Sequence, residues 1–456
     1  MSYRIVVSQV LFLIFAIVFF SCSNSKVVDS DTIAPALMES TPANGATGVS
    51  ISTSSITIKF TEQIVLAAGV IKLNNQAVNA TVSARTLTIS PPSALQYSTT
   101  YNLIIPNNAI SDIAGNFTGQ ISLSFTTNES LSFSVSPSLV TPNPSTQAVN
   151  LYNFIKQNYG SKVISGTMAA HSTNIIEATW VHDNTGKWPA LTTFDFIDHT
   201  NLNQSWIQYS APFTLGQDWW NNKGIVGLMW HWRDPITKSG SFYTPAAATA
   251  PDTGTTFDVS KVTDPNSAEY KAMIVDIDII AGYLKQFKDA GIPVIWRPLH
   301  EAAGAWFWWG AKGAEPCKAL WRLMYNRLVT VYGLNNLIWV WTSNTSNTAL
   351  SWYPGDDYVD IIGMDIYPGA NQHGSQSAEF NKVRDIFSKK KIITLSECGS
   401  VPDPALMKSS GDMWSWFMPW NGEFTESDTQ NGATWWKKYF SYDYVITRDQ
   451  MPSLKN

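Results

Sequence analysis

The stretch that decides the fold reads Val294-Ile295-Trp296-Arg297-Pro298-Leu299-His300-Glu301, then Ala302-Ala303-Gly304-Ala305-Trp306-Phe307-Trp308-Trp309-Gly310. A short apolar run bounded by Pro293 and Pro298 predicts a buried β-strand. The run breaks off in Arg297, His300 and Glu301. Charged groups at the mouth of a buried strand are costly unless paired or used. Three polar groups gathered there point to a site rather than a packing turn. The aromatic cluster that follows suits stacking on sugar rings, beside groups able to deliver a proton.

Working outward, strand-like and helix-like segments alternate around this stretch. Upstream, Ala148 to Tyr159 has helical spacing. Val163 to Gly166, Ala190 to Asp195 and Gly224 to His231 read as strands one to three. Ala268 to Gly291 is a long amphipathic helix, and the opening stretch is strand four. Downstream, Lys318 to Tyr332 is helical, Leu337 to Trp341 is strand five and Val359 to Asp365 is strand six. Glu379 to Lys389 is helical, Lys391 to Glu397 is strand seven and Met413 to Trp420 is strand eight. Eight β units over about 300 residues predict one α/β domain, an eight-stranded β/α (TIM) barrel over 148–456. Trp232 to Pro265 contains no clear element and reads as a substrate-binding loop.

Polar residues close these strands: Asp195, His231, His300 with Glu301, Asn344, Asp365 with Tyr367, and Glu397. In a β/α-barrel the C-terminal strand ends carry the active site. Glu301 and Glu397, on strands four and seven, form the candidate catalytic pair, since glycoside hydrolysis needs two facing carboxylates. His300 and the aromatic cluster surround Glu301, and desolvation there keeps a carboxyl protonated. Arg297 and Tyr367 are the candidates to hydrogen-bond an ionised Glu397. For Arg297 a purely structural ion pair is an equal alternative.

Arg-Pro-x-His-Glu followed by Gly-x-Trp-Phe-Trp-Trp-Gly resembles the acid/base motif of glycoside hydrolase family 26, mostly retaining endo-β-1,4-mannanases on a β/α-barrel. The resemblance runs from about Val149 to Pro452. It implies Glu301 as general acid/base and Glu397, in Leu-Ser-Glu-Cys-Gly, as nucleophile. It implies Tyr367 as the donor to the nucleophile. His231, which ends Gly-Leu-Met-Trp-His, and His300 are implied to line the substrate subsite. Trp306 is expected to flank the scissile bond. Trp416 or Trp420 should floor the sugar on its glycone side, with Trp420 preferred. The expected substrate is a β-mannan-type polysaccharide. The same chemistry on β-glucan or xylan, exo-acting release of mannobiose, and a glycan-binding protein without activity are the alternatives.

Other classes are excluded more simply. Net charge is −5 with scattered Lys and Arg, which offers no patch for nucleic acid. The six His, at 171, 182, 199, 231, 300 and 373, lack metal-ligand spacing, so neither metal nor cofactor is expected. Twenty Trp and 17 Tyr suit carbohydrate contact, although large cores also consume them.

The N-terminal third differs in texture. Ile5 to Phe20 is almost wholly apolar and is followed by Ser21-Cys22, which resembles a bacterial lipoprotein signal over 1–22. A lipid on Cys22 would tie the protein to the membrane of the cell envelope, an outer membrane facing the surface or periplasm. An N-terminal membrane anchor is the alternative. Cys317 and Cys398 then remain, and a buried free thiol is expected at Cys398. From 32 to 127 short alternating runs with turn signals predict a β-sandwich. Its Pro42 to Val49 opening and its Asp112-Ile-Ala-Gly-Asn116 turn resemble bacterial immunoglobulin-like modules, and it reads as a spacer. The stretch 128–147, rich in Ser, Thr and Pro, reads as a semi-rigid linker. A monomer is expected.

Overall fold

The computed structural model describes residues 31–51, 53–93, 95–127, 135–170, 172–238, 241–250 and 253–456. The apolar leader, Cys22 and the first residues of the linker lie outside them. Among the described residues no helix is long and apolar enough to cross a membrane. Two compact units divide the chain at Thr127.

The first unit is a β-sandwich. One sheet orders Leu37–Thr41, Ile56–Phe60, Thr86–Ser90 and Asn79–Ser83. The other orders Ala46–Val49, Ile121–Thr127, Thr100–Ile105, Lys72–Leu73 and Gln76–Ala77. Period-two alternation puts Ile56, Ile58, Phe60, Leu87, Ile89, Leu103, Ile105 and Phe125 inside.

In the second unit eight parallel strands close on themselves. They are β1 (Val163–Met168), β2 (Leu191–Asp195), β3 (Ile225–Trp230), β4 (Val294–Pro298), β5 (Leu337–Ser343), β6 (Ile361–Ile366), β7 (Ile392–Cys398) and β8 (Trp416–Pro419). Each pairs with the next, and β1 pairs with both β8 and β2. Strands buried on both faces need unbroken apolar runs, which is what the sequence supplies. The barrel interior is crowded enough to require glycine. At Gly363 on β6 an added Cβ would sit 2.3 Å from Ser396 Oγ of β7.

Helices behave as their sequences dictate. Ala268–Asp289 is capped by Ser267, whose side chain accepts from Tyr270 N. The helix expected over Lys318–Tyr332 instead starts at Ala314, behind Gly313, and loosens into a π-turn over Arg327–Val331. Strand eight shrinks from Met413–Trp420 to four residues.

The linker reading is corrected from Ser136 onward. Ser136 N donates to Lys390 O at 2.9 Å, Val140 N to Asp360 Oδ1 at 2.7 Å, and Ser145 N to Asn335 O at 2.8 Å. Leu139 and Thr141 are buried. Lys390, Asp360 and Asn335 lie just before β7, β6 and β5, so this segment crosses the N-terminal face of the barrel. Burial pushes the Asp360 carboxyl up to about 7, against the backbone N–H groups of Trp339 and Val140 that it accepts. Buried Leu139 and Thr141 and backbone bonds to three residues far along the chain anchor a segment that looked like a tether.

Candidate active site

The strand ends converge as the barrel topology requires. One oxygen from each of Glu301, Asp365 and Glu397 falls within 4.8 Å of the others. Arg297 sits beneath them, 3% exposed. Its Nη1 donates to Asp365 Oδ2 at 2.7 Å and to Thr342 Oγ1 at 3.1 Å, and its Nη2 donates to Glu397 Oε2. Tyr367 Oη donates to Glu397 Oε1 at 2.5 Å. Both oxygens of Glu397 therefore accept charge-assisted or hydroxyl hydrogen bonds. Ser396 Oγ donates to Asp365 Oδ1 at 2.7 Å.

Glu301 is held differently. Its backbone is left-handed, with φ 53°, in the turn that ends β4. One neutral donor reaches it, Trp306 Nε1 at 3.0 Å from Oε2. Burial, and then the charge of Glu397, raise its pKa above the ordinary carboxyl value. Asp365 is also raised, by burial and then by its carboxylate neighbours against the pull of Arg297. One guanidinium cannot balance three carboxylates, so the cluster favours keeping a proton.

A hollow of about 360 Å³ opens beside the cluster, walled by Asp195, His231, Tyr243, Trp420 and the exposed Trp206. A second, about 180 Å³, borders Glu301, Trp306, Asn344 and Asp365. Trp420 thus faces open space. Trp416 is buried in the barrel interior, its backbone N–H donating to Thr394 Oγ1.

The residues read as surrounding the substrate divide between the open site and the core. Arg297 is covered and committed to two carboxylates. His300, read as a substrate contact, is 1% exposed, and its Nε2 lies 3.1 Å from His231 Nε2. His231 lines the hollow, yet its Nδ1 is 2.6 Å from Asp195 Oδ2. Within the aromatic cluster only Trp306 is open, at 39%, while Phe307, Trp308 and Trp309 are buried. Trp308 Nε1 donates to Trp232 O, and Trp309 Nε1 to His300 O. Most of that cluster is core.

Tyr243, Trp206 and His199 went unread in the sequence. Tyr243 belongs to the long loop after β3, and its ring lies 5.2 Å from that of Phe307. Burial, then Glu301 and Glu397, raise its pKa, which marks its nearness to both carboxylates. The loop is tied down by Asp234, whose Oδ2 accepts from Thr255 Oγ1 at 2.5 Å. Asp276 on the helix below accepts from Trp232 Nε1 and pairs with Lys238. The paired polar residues within Trp232–Pro265 were the available signal. Cys317 and Cys398 are both free and buried.

The chain is similar to known proteins in both units. It matches the profile "Bacterial Ig-like domain" over residues 31–127 and "Glycosyl hydrolase family 26" over residues 140–450. It is 36% identical over 326 residues to "Mannan endo-1,4-beta-mannosidase B" of Piromyces sp, covering 70% of this chain and 54% of that protein. It is equally similar to "Mannan endo-1,4-beta-mannosidase" of Thermothelomyces thermophilus, covering 69% and 63%. The chain therefore spans between about half and two thirds of those relatives' own lengths. Among solved structures it resembles the beta-mannanase from a symbiotic protist of the termite Reticulitermes speratus, complexed with gluco-manno-oligosaccharide. That structure has 41% identity and a TM-score of 0.66, covering 70% of this chain and 98% of the other. With its closed parallel barrel, its facing carboxylates and a match that runs through all eight strands, the chain belongs to glycosyl hydrolase family 26.

Proposed function

We propose that the protein is a retaining endo-β-1,4-mannanase, acting on mannan, glucomannan or galactomannan through a covalent glycosyl-enzyme. The observation that carries this reading is the approach of Glu301 and Glu397, whose nearest oxygens lie within 4.8 Å. Retention needs carboxyl groups about 5–5.5 Å apart, while inversion needs about 6.5–9.5 Å to admit a water between them. Glu397, faced by Tyr367 and Arg297, attacks the anomeric carbon. Glu301, with its raised pKa, protonates the departing oxygen and then serves as base for the incoming water. Trp420 floors the sugar on the glycone side and Trp306 flanks the bond on the other. The named mannanases to which the barrel is similar support the choice of β-mannan.

Anchoring belongs to the same proposal. A lipid on Cys22 would hold a monomeric protein in the cell envelope, with the sandwich as spacer. The support is the apolar run Ile5 to Phe20 followed by Ser21-Cys22.

Incubation with mannan, lichenan and xylan, with products sized over time, tests the substrate. Proton NMR in the first minutes tests the stereochemistry. Mannan cut internally with β-anomeric products is expected. An initial α anomer overturns the retaining assignment.

A further inference from the structure

We infer that Asp195, acting through His231 and His300, dictates which nitrogen of each imidazole carries the proton and thereby aims Glu301. The inference deepens the proposed mechanism and rests on Glu301 being its general acid.

Four ring nitrogens and one carboxylate make up the row. Asp195 ends β2, and both its oxygens face His231. Oδ1 accepts from His231 N at 2.9 Å, and Oδ2 lies 2.6 Å from His231 Nδ1. Burial opposes ionisation of Asp195, yet the two hydrogen bonds it accepts from His231 help to hold the carboxyl below its ordinary value. A carboxylate can only accept, so His231 Nδ1 carries hydrogen. Its Nε2 stands 3.1 Å from His300 Nε2. A hydrogen bond there needs one proton between the two nitrogens.

Two arrangements satisfy that count. With His231 neutral, His300 donates from Nε2 and keeps a bare Nδ1. With the order reversed, His300 carries hydrogen on Nδ1. That atom is buried and has no hydrogen-bond partner among the described residues. Buried donors left unmet are rarer than buried acceptors left unmet. Asp195 therefore selects the first arrangement. Burial holds the His300 pKa far below its ordinary value, so this ring stays neutral. Both nitrogens of His231 are then engaged, and the one bare nitrogen, His300 Nδ1, is buried away from any sugar.

What the chain can do is fix a backbone. Leu299 and Glu301, on either side of His300, are both left-handed, with φ 50° and 53°. Non-glycine residues hold such angles only where their surroundings over-determine them. His300 supplies that constraint, through its Nε2 bond to His231 and its carbonyl, which accepts Trp309 Nε1 at 2.9 Å. Asp195 is accordingly a positioning residue, and the direction of Glu301 depends on the polarity of the whole row.

Asp195→Asn tests this with almost no change in shape. The amide oxygen can still accept the His231 N–H, but the amide nitrogen donates to Nδ1. The row then reverses and strands a proton on His300 Nδ1. We expect kcat on mannan to fall about 100-fold with KM within about threefold. His300→Gln supplies the control, because a carboxamide at that reach can donate or accept. In the His300→Gln background the loss from Asp195→Asn should shrink below about tenfold. An equal loss in both backgrounds overturns the inference. Nitrogen-15 spectra of the ring nitrogens in the unmutated full chain give a second readout. They should show His231 protonated at Nδ1 and His300 at Nε2. Finding His300 protonated at Nδ1 overturns the inference whether or not the protein hydrolyses mannan. Failure to cut mannan would instead remove the proposed function and leave the spectra to decide the row.

Discussion

Replacing Glu397 by Gln should lower the pKa of Glu301, and the structure sets the size of the step. The nearest oxygens of the two carboxyls lie within 4.8 Å. Two unit charges at that separation repel by about 0.9 kcal/mol in water and by about 3.5 kcal/mol at an effective dielectric near 20. At about 1.4 kcal/mol per pH unit this spans about 0.6 to about 2.5 units. Glu301 borders an open hollow, so solvent screening argues for the lower half, about one unit. Arg297, no longer bound to an anion at position 397, would pull in the same direction. The sign has a mechanistic meaning. Glu397 also loses its charge when it becomes the glycosyl ester, so the same fall converts Glu301 from acid to base midway through turnover. In the free enzyme the raised pKa keeps Glu301 protonated above the usual carboxyl range, and activity is lost as pH rises through it. Carbon-13 labelling of the glutamate side chains, with NMR titration of both proteins, measures the midpoint directly. A Glu301 midpoint that stays within about 0.3 units, or moves up, refutes the reasoning.

Other outcomes follow from the same geometry. Glu397→Ala should stop hydrolysis of every substrate. Glu301→Ala should accumulate a covalent intermediate on an aryl mannoside with a good leaving group, which mass spectrometry detects and added azide releases as the β-azide. Arg297→Met leaves Asp365 and Glu397 buried without their cation and should cost about 3–5 kcal/mol in urea unfolding of the barrel. Removing residues up to 134 should leave a folded, active barrel. Removing them up to Ser145 should lower its melting temperature, because buried Leu139, the Asp360 contact and the Ser145 cap, itself worth about 1 kcal/mol, go with them. Cys22→Ala should shift the protein out of the membrane fraction, and unchanged fractionation would favour the transmembrane alternative.

The barrel and both glutamates were legible in the chain because they depend on local pattern. An apolar run such as Val294 to Trp296 can hardly be anything but buried, and a carboxylate that closes it must face something. The same logic brought out Asp365 with Tyr367 at the end of one run and Glu397 at the end of another. What each group does depended on neighbours that the order of residues does not reveal. Arg297 was poised between a structural pair and a role at the nucleophile, and its contacts with both Asp365 of β6 and Glu397 of β7 across the closed barrel make it both. Trp308 and Trp309 looked like sugar platforms beside Trp306, but only the turn at Glu301 decides which rings face the cleft and which the core. Residues 136–145 looked like a tether, since a carboxylate waiting at Asp360 cannot be seen from Val140. Burial follows composition over a few residues, whereas hydrogen-bond partners are chosen across the whole closed sheet, so the elements could be read one by one and the row from Asp195 to Glu301 could not.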